Sequence, residues 1–181
     1  TFVTRLMQSG LLTVDQLKHK YRHELHANSS QIHANELVLL AYYIAAINIE
    51  STYHEIVGGD YVPFEGICLT DTFQMYEKDD LVDSLLIDNS SRRRRQKKLD
   101  IRVIVGNPPY SVGQGDANDN NQNVAYPHLD ERIRETYAER SKAINKNSLY
   151  DSYIRAIRWA SDRVGKSGVI GFVSLDRKSV V

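Results

Sequence analysis

Ile101-Arg102-Val103-Ile104-Val105-Gly106-Asn107-Pro108-Pro109-Tyr110 is the stretch on which the fold turns. Its first five residues are mostly β-branched and are bounded by a glycine and two prolines, so they read as a buried strand. The run is apolar without alternating, the pattern of a strand covered on both faces, and such strands belong to parallel sheets. Each proline fixes φ and lacks a backbone donor, and the residue before a proline is pushed to extended geometry. Asn107 is therefore expected to stand stiffly at a strand end, with the Pro108 carbonyl and the Tyr110 ring beside it.

Outward from this stretch, strands and helices alternate. Upstream, Gly66 to Thr70 is a short apolar segment that reads as a strand ending at Asp71. Glu36 to Glu50 reads as the firmest helix, with Leu37, Leu40, Ala41, Ile44 and Ile47 on one buried face. One of Tyr21–Ala27 and Gln31–Asn35 is expected to be a strand. Thr13 is placed to cap a short helix, and residues 1–8 form a helix closed by Ser9-Gly10. Asp79–Asp88 has a helical pattern, and 88–100 reads as a polar, basic linker. Downstream, 113–123 is a Gly-, Asn- and Asp-rich loop, Leu129–Arg140 and Ser148–Val164 are helical, and Gly168–Val173 is a last strand. The order predicts an α/β fold, a mostly parallel sheet flanked by helices. In such sheets ligands bind beyond the carboxyl ends of the strands, which directs attention to Glu36, Asp71 and Asn107.

Composition limits the alternatives. The 23 Lys and Arg balance 23 Asp and Glu, so any affinity for nucleic acid must come from local clustering. Arg92, Arg93, Arg94 and Arg95, with Lys97 and Lys98, form the strongest cluster; it suits phosphate contact or a solvated polar face. A single cysteine, Cys68, excludes an internal disulfide framework and a cysteine-rich zinc site, and the scattered histidines make no metal pattern. No stretch approaches the roughly 18–20 apolar residues that span a bilayer. The first residue is Thr rather than Met, as expected of a fragment.

The chemistry at Asn107 is specific. An exocyclic amine on a flat heteroaromatic ring offers two N–H donors and a π face. Asn107 Oδ1 and the Pro108 carbonyl supply two acceptors, and Tyr110 a stacking surface. Val103 to Ser111 resembles motif IV of the adenine-N6 DNA methyltransferases, and Glu36 to Glu50, Asn147 to Tyr153 and Gly168 to Val173 are similar to the methyltransferase domain of large single-polypeptide, type I-like, helicase-containing restriction-modification enzymes. The resemblance runs from Thr1 to about Ser174.

That resemblance implies a partial Rossmann-like fold binding S-adenosylmethionine, with cofactor-side elements over 1–75 and the catalytic strand, loop and following helices over 101–181. It implies methyl transfer to adenine N6 of a flipped base, with Asn107, Pro108, Pro109 and Tyr110 as the catalytic loop. Glu36 is expected to hold the ribose hydroxyls, with Glu24 as an alternative register, and Asp71 to face the cofactor adenine. Thr1 and Phe2 fall just past the family's glycine-rich cofactor loop, which this chain lacks. Phe172 lies near the motif that shapes the base pocket, or belongs to the core. The implied partners are DNA and, in the parent protein, nuclease, helicase and target-recognition domains, in the bacterial cytoplasm. The competing expectation is a truncated or degenerate domain acting as a non-catalytic scaffold or nucleic-acid-binding module.

Overall fold

The structure, a computed structural model, describes residues 1–22, 31–77, 87–108 and 125–173. The chain divides into two compact units, Thr1–Asp100 and Ile101–Val181.

In the first unit α1 (Phe2–Gln8) and α2 (Val14–Tyr21) precede β1 (Ala34–Glu36), α3 (Leu39–Val57), β2 (Ile67–Leu69) and α4 (Ile87–Lys97). Thr13 does cap α2: its side chain accepts from Gln16 N, and Gln16 Oε1 accepts from Thr13 N at 2.9 Å. This reciprocal pair satisfies two amides that a helix start leaves without partners. β1 and β2 pair in parallel, with Ala34 beside Ile67 and Glu36 beside Leu69. The strand of the Gln31–Asn35 region is thus β1, whereas Tyr21 ends α2 and 23–27 lies outside the described residues.

The core of this unit gathers Met7, Leu17, Tyr21, Ile32, Ile49, Tyr53, Phe64 and Ile67. Tyr21 and Tyr53 stack with centroids 3.6 Å apart, and Tyr21 donates its hydroxyl to the Val62 carbonyl at 2.9 Å. Burial, reinforced by Glu50, pushes the Tyr21 hydroxyl well above its ordinary range.

Two expectations about α3 are corrected. The helix starts at Leu39 rather than Glu36 and continues past Glu50 to Val57, where Gly58 ends it at φ 68°. Its buried residues are Ile49, Thr52 and Tyr53, while Leu37, Leu40, Ile44 and Ile47 are exposed by 49–69%. The reason lies in the sequence: apolar side chains occupy almost every position from Leu39 to Ile47, so periodicity cannot choose a face. The side bearing Tyr42, Ala45 and Ala46 packs against the core.

The segment expected as a basic linker is helical over Ile87–Lys97 and ends just before the unit boundary. The expected helix Asp79–Asp88 lies mostly outside the described residues; only 87 and 88 are described, and they open α4.

In the second unit β3 (Val103–Gly106) and β4 (Val169–Phe172) pair in parallel, with Gly106 beside Phe172. Between them lie α5 (Pro127–Ile133), which widens into a π turn through Ala138, and α6 (Ser152–Arg163). Asp151 caps α6 through the Tyr153 amide at 2.8 Å. Arg155 forks onto Asp130 with two contacts of 2.8 Å and lies over the Tyr126 ring, which ties α6 to α5. The burial expected of β3 is corrected: Val103 is 62% and Val105 54% exposed, and Val169 of β4 is 65% exposed. The alternate positions Ile104 and Gly106 are half-buried, so only one face of β3 is covered. The fold is mixed helix and small parallel sheets, as an α/β chain requires. No described helix is long and apolar enough to cross a membrane.

Candidate functional site

Glu36 and Asp71 stand at the carboxyl ends of adjacent parallel strands. Thr70 N donates to the Glu36 carbonyl at 2.8 Å, so the chain passes β1 once more before Asp71 turns away. Both carboxylates fold one oxygen back on their own backbone. Glu36 Oε1 accepts from Leu37 N at 2.9 Å and Val38 N at 3.0 Å, which keeps residues 37 and 38 out of α3. Asp71 Oδ1 accepts from Phe73 N at 2.9 Å and Gln74 N at 3.3 Å, and the Asp71 carbonyl receives Met75 N at 3.0 Å. This is the turn-forming use of a short carboxylate. Glu36 Oε2 accepts nothing among the described residues.

Asn35 stands next to Glu36. Its Nδ2 donates to Thr72 Oγ1 at 3.3 Å, and its Oδ1 is buried with no hydrogen-bond partner. Two strand ends therefore present carboxylate acceptors with an unsatisfied amide oxygen beside them. Vicinal hydroxyls and an exocyclic amine, all donors, are the chemistry that completes such a set, so the acceptors present fit an adenosine-type group. Among the described residues no group of three His, Cys, Asp or Glu is placed to hold a metal ion.

Behind this end of β2 lies α4. Asn89 Oδ1 accepts from Leu69 N at 2.9 Å and its Nδ2 donates to Leu69 O at 2.8 Å, so one side chain takes the place of a neighbouring strand. Arg93, 1% exposed, donates Nε to Thr70 Oγ1 at 3.0 Å. Arg92 donates to the Tyr42 hydroxyl at 2.9 Å, and Arg95 to the Glu65 carbonyl at 3.2 Å. Arg94 is the exposed member of the four. The arginine cluster is thus largely turned into the protein, which its sequence does not disclose. Asn89, Arg93 and Gln96, all buried, share one face of the helix, and being polar they give no hydrophobic spacing by which the sequence could mark it.

In the second unit Asn107 follows β3 directly and is exposed, whereas Pro108 is buried. The end of β4 lies alongside: Val173 N donates to the Gly106 carbonyl at 3.0 Å. The Phe172 ring covers Gly106, where an added Cβ would sit 3.3 Å from a ring carbon. A glycine before Asn107 is thus what lets the Phe172 ring lie against the strand end. Pro109, Tyr110 and Glu24 lie outside the described residues, as does the 113–123 loop. Thr1 caps α1 through Thr4 N, and Phe2, 47% exposed, opens the helix. The structure therefore brings Glu36, Asp71 and the unanticipated Asn35 together in one unit, and places Asn107, Pro108 and Phe172 together in the other.

No protein-family profile matches the chain, and no curated protein matches it. Solved structures do. The ATP-dependent type ISP restriction-modification enzyme LlaBIII, bound to DNA, is 46% identical over 94% of this chain with a TM-score of 0.78. A nuclease-deletion mutant of the type ISP restriction-modification enzyme LlaGI, in complex with a DNA substrate mimic, is 45% identical over 94% with a TM-score of 0.79. A DrdV–DNA complex is 42% identical over 94% with a TM-score of 0.81. The chain spans 11%, 14% and 16% of these proteins respectively. Over nearly all of its length, then, this chain is similar to one short segment of restriction-modification enzymes solved on DNA.

Proposed function

We propose that the chain is the catalytic part of a Rossmann-like, S-adenosylmethionine-dependent methyltransferase domain that modifies adenine N6 in DNA. On this reading it belongs to a larger restriction-modification enzyme of the bacterial cytoplasm, which also carries nuclease, helicase and target-recognition domains. The observation that carries the reading is the placement of exposed Asn107 and buried Pro108 directly after a parallel strand.

The bound cofactor supplies an electrophilic methyl group. Glu36, through Oε2, would accept from the ribose hydroxyls, and Asp71 would hold the adenine amine of the cofactor. Thr1 and Phe2 join this site on the strength of the sequence resemblance. The target adenine is shielded inside a duplex and must be extruded to reach a pocket of this kind. Asn107 Oδ1 and the Pro108 carbonyl each accept one N6–H. Two acceptors on one amine draw its lone pair out of conjugation with the ring and orient the nitrogen, so positioning and electrostatics carry the step. Pro109 stiffens the loop and Tyr110 stacks on the base. Phe172, against Gly106, forms part of the pocket wall. Of the four arginines considered for DNA, Arg94 is the exposed one and would be the one to meet a phosphate.

The test is Asn107→Ala in the intact enzyme. Loss of one such acceptor is expected to slow methyl transfer by about 10²–10³-fold, with DNA affinity and the unfolding midpoint unchanged. Transfer at the wild-type rate would remove the basis of the proposal.

A further inference from the structure

Thr70, Asp71 and Thr72 are each pinned by a different partner. Arg93 Nε donates to Thr70 Oγ1 at 3.0 Å in a buried contact, and Thr70 Oγ1 in turn donates to the Asp71 carbonyl at 3.2 Å. The same carbonyl receives Met75 N at 3.0 Å, while Asp71 Oδ1 holds the amides of Phe73 and Gln74. From the opposite side Asn35 Nδ2 reaches Thr72 Oγ1 at 3.3 Å. One clamp comes from α4 and the other from β1, and the residue between them is Asp71.

The geometry points to Asn35 and Arg93 as positioning residues, which fix the Asp71 turn in its ligand-ready shape before any ligand arrives. A guanidinium that is 1% exposed is costly to bury, and breaking its hydrogen bonds would leave an uncompensated buried charge. One of those bonds holds Thr70, at the exit of β2. Preorganisation of this kind raises affinity by removing the cost of ordering the turn on binding. The inference rests on the cofactor reading of Glu36 and Asp71 for its consequence, though not for its geometry.

The experiment uses the intact enzyme with Asn35→Ala, Thr72→Val, Thr72→Ser and the Asn35→Ala/Thr72→Val double variant. Arg93→Met is added, with the Asn35 and Thr72 series as the safeguard should it fail to fold. Amide hydrogen exchange at Phe73, Gln74 and Met75 is followed without ligand, and S-adenosylmethionine binding is measured by calorimetry. Asn35→Ala and Thr72→Val are each expected to speed exchange at these amides and to weaken S-adenosylmethionine binding, by about tenfold if the lost hydrogen bond contributes its ordinary share. In amide exchange the double variant should be no worse than the weaker single, because both remove one interaction, and Thr72→Ser should behave as wild type. Unchanged exchange in both single variants, or fully additive exchange effects in the double, would overturn the clamp. Altered exchange in an enzyme whose wild type binds no S-adenosylmethionine would instead uphold the clamp and overturn the cofactor reading.

Discussion

Cys68 occupies the middle of β2 with 1% of its surface exposed, and burial pushes its thiol from 9.0 up to about 11, against the opposing pull of Arg92, Arg93 and Arg95. The thiolate is the reactive form. Ellman's reagent at pH 8 should therefore label Cys68 only after urea is added; fast labelling of the folded protein would contradict its burial. The linkage has a definite sign. The folded state holds this proton more tightly than the unfolded chain, so the stability it contributes is present below pH 9 and declines as pH rises from 9 toward 11. At the same scale, the position of Asn107 was legible because β-branched residues, a glycine and two prolines act through local rules that need no tertiary context. The different fates of Arg92 to Arg95 were not. Four identical residues in a row carry no sign of which faces inward, and the answer comes from the phase of α4 against β2.

Elements are held by contacts that the sequence only hints at. Asn89 bonds both main-chain groups of Leu69, so Asn89→Ala leaves a donor and an acceptor of an edge strand without partners. The expected cost is about 1–3 kcal/mol, read as a lower urea midpoint with an unchanged slope; a midpoint equal to wild type would show that water replaces the side chain. Gly168 is similarly constrained. A Cβ there would lie 2.7 Å from the Arg102 carbonyl and 2.8 Å from Val164 Cβ. Gly168→Ala must push β4 off β3 or α6, and overpacking of this kind costs about 1–3 kcal/mol, visible as a lower thermal midpoint. Helix α3 shows where reading elements from sequence fails. Its existence was read from apolar residues at spacings of three and four, but its start depends on the Glu36 carboxylate binding the next two amides, and its buried side on small Ala45 and Ala46. Neither follows from hydrophobic spacing.

For the whole molecule, the division at Asp100/Ile101 falls where the sequence turns from a charged segment to the β-branched run, and the α/β class follows from the same alternation. The burial of that run did not follow. Val103, Val105 and Val169, like Leu40, Ile44 and Ile47, are large apolar side chains left exposed. Residue type records what a surface is built to lie against, and these 181 residues correspond to 11–16% of the proteins they resemble. Exposed large apolar side chains in such number mark interaction sites or association liabilities. The 181-residue polypeptide expressed alone should accordingly bind a hydrophobic dye and self-associate in size-exclusion chromatography, while the larger enzyme proposed above does neither. A dye-silent monomer would show that the exposed strands and helix are stable in water.

The most direct measurement is of the product itself. The intact enzyme is incubated with duplex DNA and S-adenosylmethionine carrying a deuterated methyl group, and the nucleosides are resolved by mass spectrometry. The account predicts label on N6 of deoxyadenosine, lost with Asn107→Ala. Label on another base, or none from an enzyme that binds both cofactor and DNA, would contradict it.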